Sequence, residues 1–346
     1  MPEVAAPPFD AEFTEAAEPY RRELFAHCYR MLGSAHDAED QVQETMLRAW
    51  RSFGSYDPAK AGMRTWLYRI ATNACLNALD YRGRRGLPNQ LVEASDDPAR
   101  IPQGRRTDLP WLQPAPDALL GLQSADPAAV VASRGSVRLA FVAALQYLPP
   151  RQRAVLILRD VLAWRAAEVA DLLDTSVAAV NSALQRAKAQ LTAVSPEEDS
   201  LTEPTDAAQR RMVERYAAAF ETADLTTLEH LLREDAVLEM PPYLLWLDGR
   251  SSYLAFAAFV CAARAPGSWR LVPLGGANQQ PAVGAYLRGE DGVFRAHSIQ
   301  VYRVEGDGIT HVVAFQEPEL FGTFELPPTL AVPVVPQPRP GVPSPG

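Results

Sequence analysis

Two neighbouring stretches of the sequence carry side chains suited to molecular recognition. Residues 37–48 place acids and amides at helical spacing, and residues 64–77 place arginines, asparagines and a tryptophan at the same spacing. Acids near a helix start complement the helix dipole, whereas Arg and Asn donate hydrogen bonds and Trp stacks on planar groups. The chemistry that these side chains offer is noncovalent binding, and no catalytic residue is predicted among them.

Two amphipathic helices would position these side chains. Over residues 37–53 the inward positions are Val42, Met46, Ala49 and Trp50. Over residues 64–81 the stripe predicted to be buried is Leu67, Ile70, Ala71, Ala74 and Ala78. At about 100° per residue, the side chains that face away from this stripe are Arg69, Thr72, Asn73 and Leu76. Periodicity alone fits an ordinary pair of core helices with solvated charges at least as well.

The amino-acid identities in the two stretches carry more information than their hydrophobic periodicity. The runs DAEDQVQETMLRAW and RTWLYRIATNACLN resemble the second conserved domain of bacterial sigma-70-class sigma factors, in the compact extracytoplasmic-function (ECF) group. The resemblance implies that the first helix binds the clamp helices of RNA polymerase through Asp37, Asp40, Gln43, Glu44, Leu47 and Arg48. It implies that the second helix captures unpaired bases of the minus-ten promoter element through Arg64, Trp66, Arg69, Asn73 and Asn77.

The loop after the first helix contributes to this resemblance. In the family it helps to hold a flipped base, and the side chains placed to do so here are Phe53, Tyr56 and Asp57. Stacking of an unpaired base on an aromatic ring stabilises the complex by roughly 1–3 kcal/mol. Phe53 and Tyr56 fit equally well as core residues that anchor the loop.

A helix-turn-helix pattern occupies the second half of residues 137–192. Helices are predicted over residues 165–173 and 177–191, with an N-cap at Thr175 or Ser176. Asp174 stands where many such turns place Gly. Asp tolerates left-handed backbone better than most residues but less well than Gly, so the turn should be either slightly strained or differently shaped. The inward positions predicted for the second helix are Val177, Val180, Leu184, Ala187 and Leu191.

The same residues resemble the fourth sigma domain over its full length, from LPPRQRAVLILRD to the last predicted helix. In the family this domain reads the minus-35 promoter element with its second helix. Small residues at the start of that helix allow close approach to a major groove, amides can read base edges, and basic side chains neutralise phosphates. The side chains predicted to contact DNA are Ser176, Ala179, Asn181, Ser182, Gln185, Arg186 and Lys188.

After residue 206 the pattern changes to helices followed by strands, which predicts an α+β cone. The stretch MVERYAAAFETADLTTLEHLLREDAVLEMPP and the WLDGR turn resemble the SnoaL-like branch of the NTF2-like superfamily. The fold implies a ligand pocket, predicted here to include Tyr216, Phe220, Trp246 and His297, with Met240, Phe259 and Phe315 as further candidates. The titratable candidates for acid–base chemistry are Glu239, Asp248, His297 and His311, but no spacing pairs them in one cavity.

Charge and composition limit the possible functions. The chain has a net charge of −9, yet it carries 11 Lys/Arg against 7 Asp/Glu over residues 20–90 and 7 against 4 over residues 137–192. This modest local excess predicts weak DNA binding by the isolated chain, because phosphate contacts dominate affinity. The three cysteines have no ligand spacing, so no metal and no cofactor are predicted. The acidic start and the lack of a long apolar run predict a cytoplasmic protein with no membrane partner.

The sequence predicts a multidomain chain with two all-α helical domains and a C-terminal α+β NTF2-like cone. Trp111 and Leu112 are too apolar for a free linker, so they should dock on a partner surface. The predicted segments are an acidic tail at 1–19, domain 2 at 20–90, an acidic Pro-rich linker at 91–136, domain 4 at 137–192, a second linker at 193–206, the C-terminal domain at 207–326 and a Pro-rich tail at 327–346.

These observations predict a sigma factor that binds core RNA polymerase and promoter DNA and is not an enzyme. The C-terminal domain would modulate it by binding a small-molecule ligand or an anti-sigma factor, or by docking on the sigma domains. One alternative is a polymerase-independent helix-turn-helix regulator with a ligand-sensing domain, which predicts tight duplex binding without polymerase. Another is a SnoaL-like enzyme fused to a DNA-binding anchor, which requires turnover that depends on a pocket carboxylate or histidine.

Overall fold

The computed structural model describes residues 10–80, 83–95, 97, 104–120, 135–194 and 206–330. The acidic tail before residue 10, part of the linker at 121–134, most of the second linker at 193–206 and the Pro-rich tail from residue 331 lie outside these residues.

Domain 2 is a helical unit whose caps follow from the sequence. Asp10 Oδ1 accepts the Phe13 N–H at 3.0 Å, and Ser34 Oγ accepts the Asp37 N–H at 3.2 Å. Part of the predicted acidic tail is therefore helical, and Phe13 is buried. The elements are α1 Ala11–Ala17, a 3-10 turn Glu18–Tyr20, α2 Arg21–Leu32, α3 Ala35–Ser52, a 3-10 turn Phe53–Ser55 and α4 Met63–Asp80.

The buried face of α4 differs from the predicted stripe. Thr72 was expected to face outward, but it is fully buried, and its hydroxyl lies 2.9 Å from His27 Nε2. Because this hydrogen bond satisfies a polar group inside the core, Thr72 can take an inward position that hydropathy assigns to an apolar residue. Ile70 and Ala78, expected to be buried, are only half-buried. The inward face is rotated toward Tyr68, Thr72 and Cys75.

Residues 83–95 and 104–120, here called the strap, run between domain 2 and the C-terminal domain. They contain a 3-10 turn, Pro88–Gln90, and end in helix α5, Asp117–Leu120. The Ser95 N–H donates to Trp246 O at 2.9 Å. Leu112 is fully buried over Gly33, where an added Cβ would lie 2.8 Å from Leu112 Cδ1. The Gly33 φ of +69° also favours glycine. The Gln113 N–H donates to Gly33 O at 2.9 Å. Trp111 and Leu112 thus dock on the chain's own domain 2.

Domain 4 contains the predicted helix-turn-helix. Its turn places Asp174 at φ +49°, in left-handed backbone, and Ser176 Oγ caps the second helix by accepting the Ala179 N–H at 3.1 Å. Val177 was expected to face inward but is 44% exposed, since it lies in the first turn ahead of the packed positions. The elements are α6 Leu139–Leu145, α7 Pro150–Leu156, a π-helical turn Ile157–Val161, α8 Ala166–Leu172 and α9 Val177–Val194.

The C-terminal domain is a curved mixed sheet with helices against its inner face. The strand order is β2-β1-β6-β5-β4-β3, with β1 and β6 parallel and the remaining pairs antiparallel, and β7 pairs with β5. The elements are α10 Asp206–Thr222, α11 Leu225–Leu231, β1 Leu232–Glu239, β2 Trp246–Asp248, α12 Arg250–Ala262, β3 Trp269–Pro273, β4 Ala282–Arg288, β5 Phe294–Glu305, β6 Gly308–Phe315, α13 Leu320–Thr323 and β7 Thr329–Leu330.

The two faces of this sheet pack on different partners. One face encloses the apolar interior of the cone, which includes Leu238, Tyr302 and Val312. The opposite face contributes Ile299 and Val313 to a continuous core that also contains residues of domains 2 and 4 and of the strap. Side chains alternate between the faces of a strand, so β4, β5 and β6 each contribute to both cores.

Candidate polymerase and nucleic-acid interfaces

The outer face of α3 presents most of the side chains predicted to bind polymerase. Asp40, Gln43 and Arg48 are exposed, and Glu44 and Leu47 are half-buried, so these five follow one helical face at intervals of three and four residues. The Glu44 and Arg48 side chains form an ion pair at 2.6 Å on that face.

Asp37 differs from the rest of the predicted polymerase set. Its carboxylate pairs with the Arg85 guanidinium, and only 12% of its side chain is exposed. Arg85 Nη1 also donates to Trp111 O at 2.6 Å, so this ion pair joins the start of α3 to the strap. Asp37 is therefore placed to hold the strap.

The predicted minus-ten residues of α4 divide between two sides of the helix. Trp66, Arg69, Asn73 and Asn77 lie on one side, where Asn73 and Asn77 are exposed. Arg64 lies on the other side: its Nε donates to Glu23 Oε2 at 2.9 Å, and its guanidinium lies 4.9 Å from the centre of the Tyr68 ring. The structure therefore gathers four of the five residues on one side of α4 and places Arg64, whose side chain is 41% exposed, on the other side beside Glu23.

A row of aromatic rings leads to the outer face of α4. The ring centres of Phe53 and Tyr56 are 6.2 Å apart with nearly parallel planes, and those of Tyr56 and Trp66 are 4.9 Å apart. Phe13 of α1 packs edge-on against Phe53 at 5.4 Å. Phe53 is thus partly occupied as a core residue, while Tyr56 and Trp66 form a half-buried platform of the kind on which bases stack.

Domain 4 packs directly against this part of domain 2. The Arg69 guanidinium pairs with the Asp171 carboxylate of α8, and its Nη2 also donates to Asp171 O at 3.2 Å. Trp164 packs on Tyr68 with ring centres 5.4 Å apart. One of the four outward residues of α4 is therefore engaged by the helix-turn-helix domain.

The second helix of the helix-turn-helix, α9, projects its polar face into solvent. Arg186 Nη1 donates to Ser182 Oγ at 2.6 Å along the helix, and Lys188 pairs with Asp160 at 2.8 Å. Every side chain predicted to contact the minus-35 element is exposed: Ser176, Ala179, Asn181, Ser182, Gln185, Arg186 and Lys188.

The core of domain 2 contains a titratable residue that the sequence analysis did not single out. His27 is fully buried, and burial, followed by the charges of Arg30 and Arg64, lowers its pKa to about 3. The imidazole is therefore neutral at pH 7. Below pH 6.5 the unfolded chain binds a proton at this position that the folded chain does not bind, so the free energy of unfolding falls as the pH falls toward 3.

We expect this effect to reach about 1.4 kcal/mol per pH unit below pH 6, the linkage value for one proton. His27→Gln retains a side-chain donor for Thr72 but does not titrate. Urea denaturation of both proteins between pH 7 and pH 4 measures the difference. Equal pH dependence in the two proteins would contradict the assignment.

The cone encloses a cavity of about 280 Å³. Tyr216, Phe220 and His297 line it, as predicted, and so do Met240 and Phe259. Trp246 does not, because it lies on the edge strand β2 and its Nε1–H donates to Val92 O of the strap at 2.9 Å. Phe315 is buried in the core on the opposite face of the sheet. The placement of Trp246 and Phe315 in the pocket is therefore wrong.

Two of the titratable candidates meet, but outside the cavity. Glu239 is fully buried, and its Oε1 lies 2.8 Å from His311 Nε2 while its Oε2 accepts the Asn89 N–H of the strap at 2.9 Å. Asp248 is exposed. The Glu239–His311 pair is thus positioned to attach the strap to the sheet.

Within the described ranges, no cluster of His, Cys, Asp and Glu could hold a metal ion. No helix in the part of the chain that the structure describes is long and apolar enough to cross a membrane.

Comparison with known proteins decides the family. The Sigma-70 region 2 model matches residues 16–85, and the Sigma-70 region 4 model matches residues 138–191. The chain is 49% identical to the ECF RNA polymerase sigma factor SigG of Mycobacterium tuberculosis over 320 residues. This alignment covers 92% of this chain and 85% of SigG. The chain belongs to the ECF RNA polymerase sigma factors.

A second relative of this sigma factor is the ECF RNA polymerase sigma factor SigJ of Mycobacterium tuberculosis, 30% identical over 286 residues that cover 80% of this chain and 81% of SigJ. A crystal structure of SigJ aligns with a TM-score of 0.59 at 26% identity, covering 90% of this chain and 98% of that chain. The predicted fold class of two all-α domains followed by a C-terminal α+β domain is confirmed.

The three domains of this sigma factor meet at Asn278, a residue that the sequence analysis missed. Asn278 is fully buried in the β3–β4 turn at φ +57°. Its Oδ1 accepts the Ala115 N–H at 3.0 Å, and its Nδ2 donates to Tyr29 Oη at 2.7 Å and to Val137 O at 2.6 Å. A GGANQQP sequence is typical of an exposed turn, so no local signal identifies this contact.

Proposed function

We propose that this sigma factor binds core RNA polymerase with the outer face of α3. The observation that supports this is the alignment of Asp40, Gln43, Glu44, Leu47 and Arg48 on one accessible helical face. We propose further that Trp66, Arg69, Asn73 and Asn77 of α4 receive the opened minus-ten strand, and that α9 enters the major groove of the minus-35 element.

The arrangement of the domains suggests that this is a resting form. The names of the minus-ten and minus-35 elements place them about 25 base pairs apart, which is roughly 85 Å along the DNA at 3.4 Å per base pair. Here α4 and α8 contact each other through Arg69 and Asp171. Both elements can be bound together only after domains 2 and 4 separate.

We propose that the C-terminal domain modulates this separation. It contacts domain 2 through Tyr29, the strap through Ala115 and the start of domain 4 through Val137, all by way of Asn278. Gln280 Oε1 adds a bond from the Leu139 N–H at 3.1 Å. Closing contacts of this kind favour the compact form and oppose opening.

Catalysis is not part of the proposed function. No Asp or Glu is among the described residues that line the cavity. Glu239 lies between two lining residues in sequence, but its buried carboxylate already binds His311 and the strap. Of the four titratable candidates predicted for acid–base chemistry, His297 alone is among the described residues that line the cavity, so the four do not supply an acid and a base together there.

The decisive experiment is reconstitution of the full chain with core polymerase on a promoter library. A stable holoenzyme and a defined set of transcripts are expected. Absence of both would overturn the assignment of polymerase and promoter binding. A protein that ends at residue 206 tests the modulation, because it should give more promoter-specific transcript per holoenzyme than the full chain.

Replacing Gln185 of α9 with alanine should weaken recognition of the minus-35 element. A base contact discriminates by about 1–3 kcal/mol, so we expect a roughly 5- to 150-fold loss of transcription that depends on the minus-35 sequence. Gln190→Ala is the matched control, because the Gln190 amide donates to Tyr147 O within domain 4 at 2.8 Å. Equal losses on intact and scrambled minus-35 elements would contradict base readout by Gln185.

A further inference from the structure

We propose that the cavity of the C-terminal domain binds a small aromatic molecule that carries one carboxylate or phenolate oxygen. This goes beyond the proposed function, because it gives the domain a ligand of defined chemistry whether or not that ligand acts on transcription. Three observations carry it: aromatic walls, unpartnered polar groups at one end, and the sign of the charge at the opening.

The walls of the cavity are mainly aromatic. The rings come from α10, α12 and β3, together with Tyr243 from the segment after β1. Tyr216 and Tyr253 line the cavity, and their hydroxyl oxygens lie 2.6 Å apart and share one hydrogen bond. This part of the wall therefore offers a ligand ring faces and edges, which favour a flat apolar body. The lining rings are Tyr216, Phe220, Tyr243, Tyr253, Phe256, Phe259 and Trp269.

Two polar groups at one end lack partners. Trp269 Nε1 and His297 Nδ1 are buried without a hydrogen-bond partner among the described residues, and the two rings meet edge-on at 4.8 Å between centres. Indole Nε1–H can only donate, so it requires an acceptor. A buried donor without an acceptor costs about 1–3 kcal/mol, and an oxygen of a bound molecule would remove that cost.

The charges at this end favour an anion. Arg264 stands at the opening with its guanidinium 5.8 Å from the centre of the Trp269 ring, and no carboxylate is found among the described lining residues. Burial, followed by the charge of Arg264, lowers the pKa of His297 to about 4, so its imidazole is neutral at pH 7. A cationic ligand would be repelled by Arg264, with no carboxylate among the described lining residues to offset the repulsion. A carboxylate could accept hydrogen bonds from the Arg264 guanidinium and from Trp269 Nε1–H.

Isothermal titration calorimetry of the full chain with three matched probes tests the proposal. The probes are 2-naphthoate, naphthalene and 2-naphthylmethylammonium, which share one ring system and differ in the group that they offer. We expect 2-naphthoate to bind at least about tenfold tighter than either of the others, the effect of one well-placed charge-assisted hydrogen bond. Failure of 2-naphthoate to bind, or equal binding of the ammonium, would overturn it.

Two variants locate the oxygen. Trp269→Phe keeps an aromatic ring but removes the donor, and it should weaken 2-naphthoate about tenfold while leaving naphthalene unchanged. Trp246→Phe is the control, because Trp246 lies in the same domain and donates to the strap instead. Arg264→Gln, at an exposed position, gives a second test that does not disturb the core and should weaken 2-naphthoate alone. Unchanged 2-naphthoate affinity in both cavity variants would contradict the assigned orientation.

Discussion

Asn278→Ala is expected to lower the free energy of unfolding by about 3–5 kcal/mol. The change leaves the buried Ala115 N–H and Val137 O without this partner, and it removes one of the two hydrogen bonds of Tyr29 Oη, which still donates to Gln113 O at 2.8 Å. Each loss costs roughly 1–3 kcal/mol, with incomplete additivity. Alanine also tolerates the left-handed φ of +57° less well than asparagine. Urea denaturation measures the loss, and limited proteolysis should show earlier cleavage between the domains.

The neighbouring residue provides the control for this variant. Gln279 has almost the same backbone φ, +58°. Its backbone N–H, which the substitution keeps, donates to Asp117 Oδ1 at 2.7 Å. Gln279→Ala should therefore cost less than about 1 kcal/mol, in the usual range for a surface substitution. If the two variants were equally stable, Asn278 would not be the junction of the three domains.

The same pair of variants tests the modulation by the C-terminal domain. If contacts through Asn278 hold domains 2 and 4 together, Asn278→Ala should give more promoter-specific transcript per holoenzyme than Gln279→Ala. The assay belongs at a temperature at which circular dichroism shows both proteins folded. Equal or lower transcript from folded Asn278→Ala protein would refute the proposed role.

Arg153→Met is expected to be the other strongly destabilising change, at about 3–5 kcal/mol. The Arg153 guanidinium is buried and donates to Gln146 Oε1 at 2.7 Å, to the carbonyls of Gln146 and Leu148 at 3.2 Å, and to Met31 O of domain 2. Burial lowers its pKa to about 10, so it stays charged at pH 7 and these bonds are charge-assisted. Methionine keeps the aliphatic volume and leaves four acceptors unpaired.

Arg151→Met is the matched control, because Arg151 is exposed two residues earlier in α7. It should change the free energy of unfolding by no more than about 0.5 kcal/mol. Small-angle X-ray scattering should show that Arg153→Met, but not Arg151→Met, expands at mild denaturant as domain 4 leaves Met31. Similar stability in the two variants would mean that Arg153 does not join the domains.

Local patterns predicted the helices well because the signals for them are local. The stripe on α3, the cap at Ser176 and the turn at Asp174 depend on residues within a few positions of each other. The recognition face of α9 was predicted for the same reason. Val177 is the exception, since its exposure depends on where the helix meets its neighbours.

Contacts distant in sequence account for what the patterns missed. Thr72 is inside because His27 is opposite it, and Arg64 lies away from the other predicted minus-ten residues because Glu23 pairs with it. Asn278 and Tyr29 are 249 residues apart. A single sequence gives no means of pairing such positions, and polar residues in the core are the ones that hydropathy misplaces.

The cavity residues show both outcomes. Tyr216 and Phe220 lie on the inner side of α10, which its apolar period identifies. Trp246 looked similar by residue type, but its strand lies at the edge of the sheet beside the strap. Residue type suggested a pocket, and only topology decides which aromatic side chains reach it.

The alternation along β1 separates two surfaces that can change independently. Leu238 and Met240 line the cavity, whereas Glu239 between them binds the strap. Substitutions at Leu238 and Met240 should therefore reshape the cavity without changing the surface that meets the strap. The same partition would let the cavity be redesigned while the rest of the protein is kept.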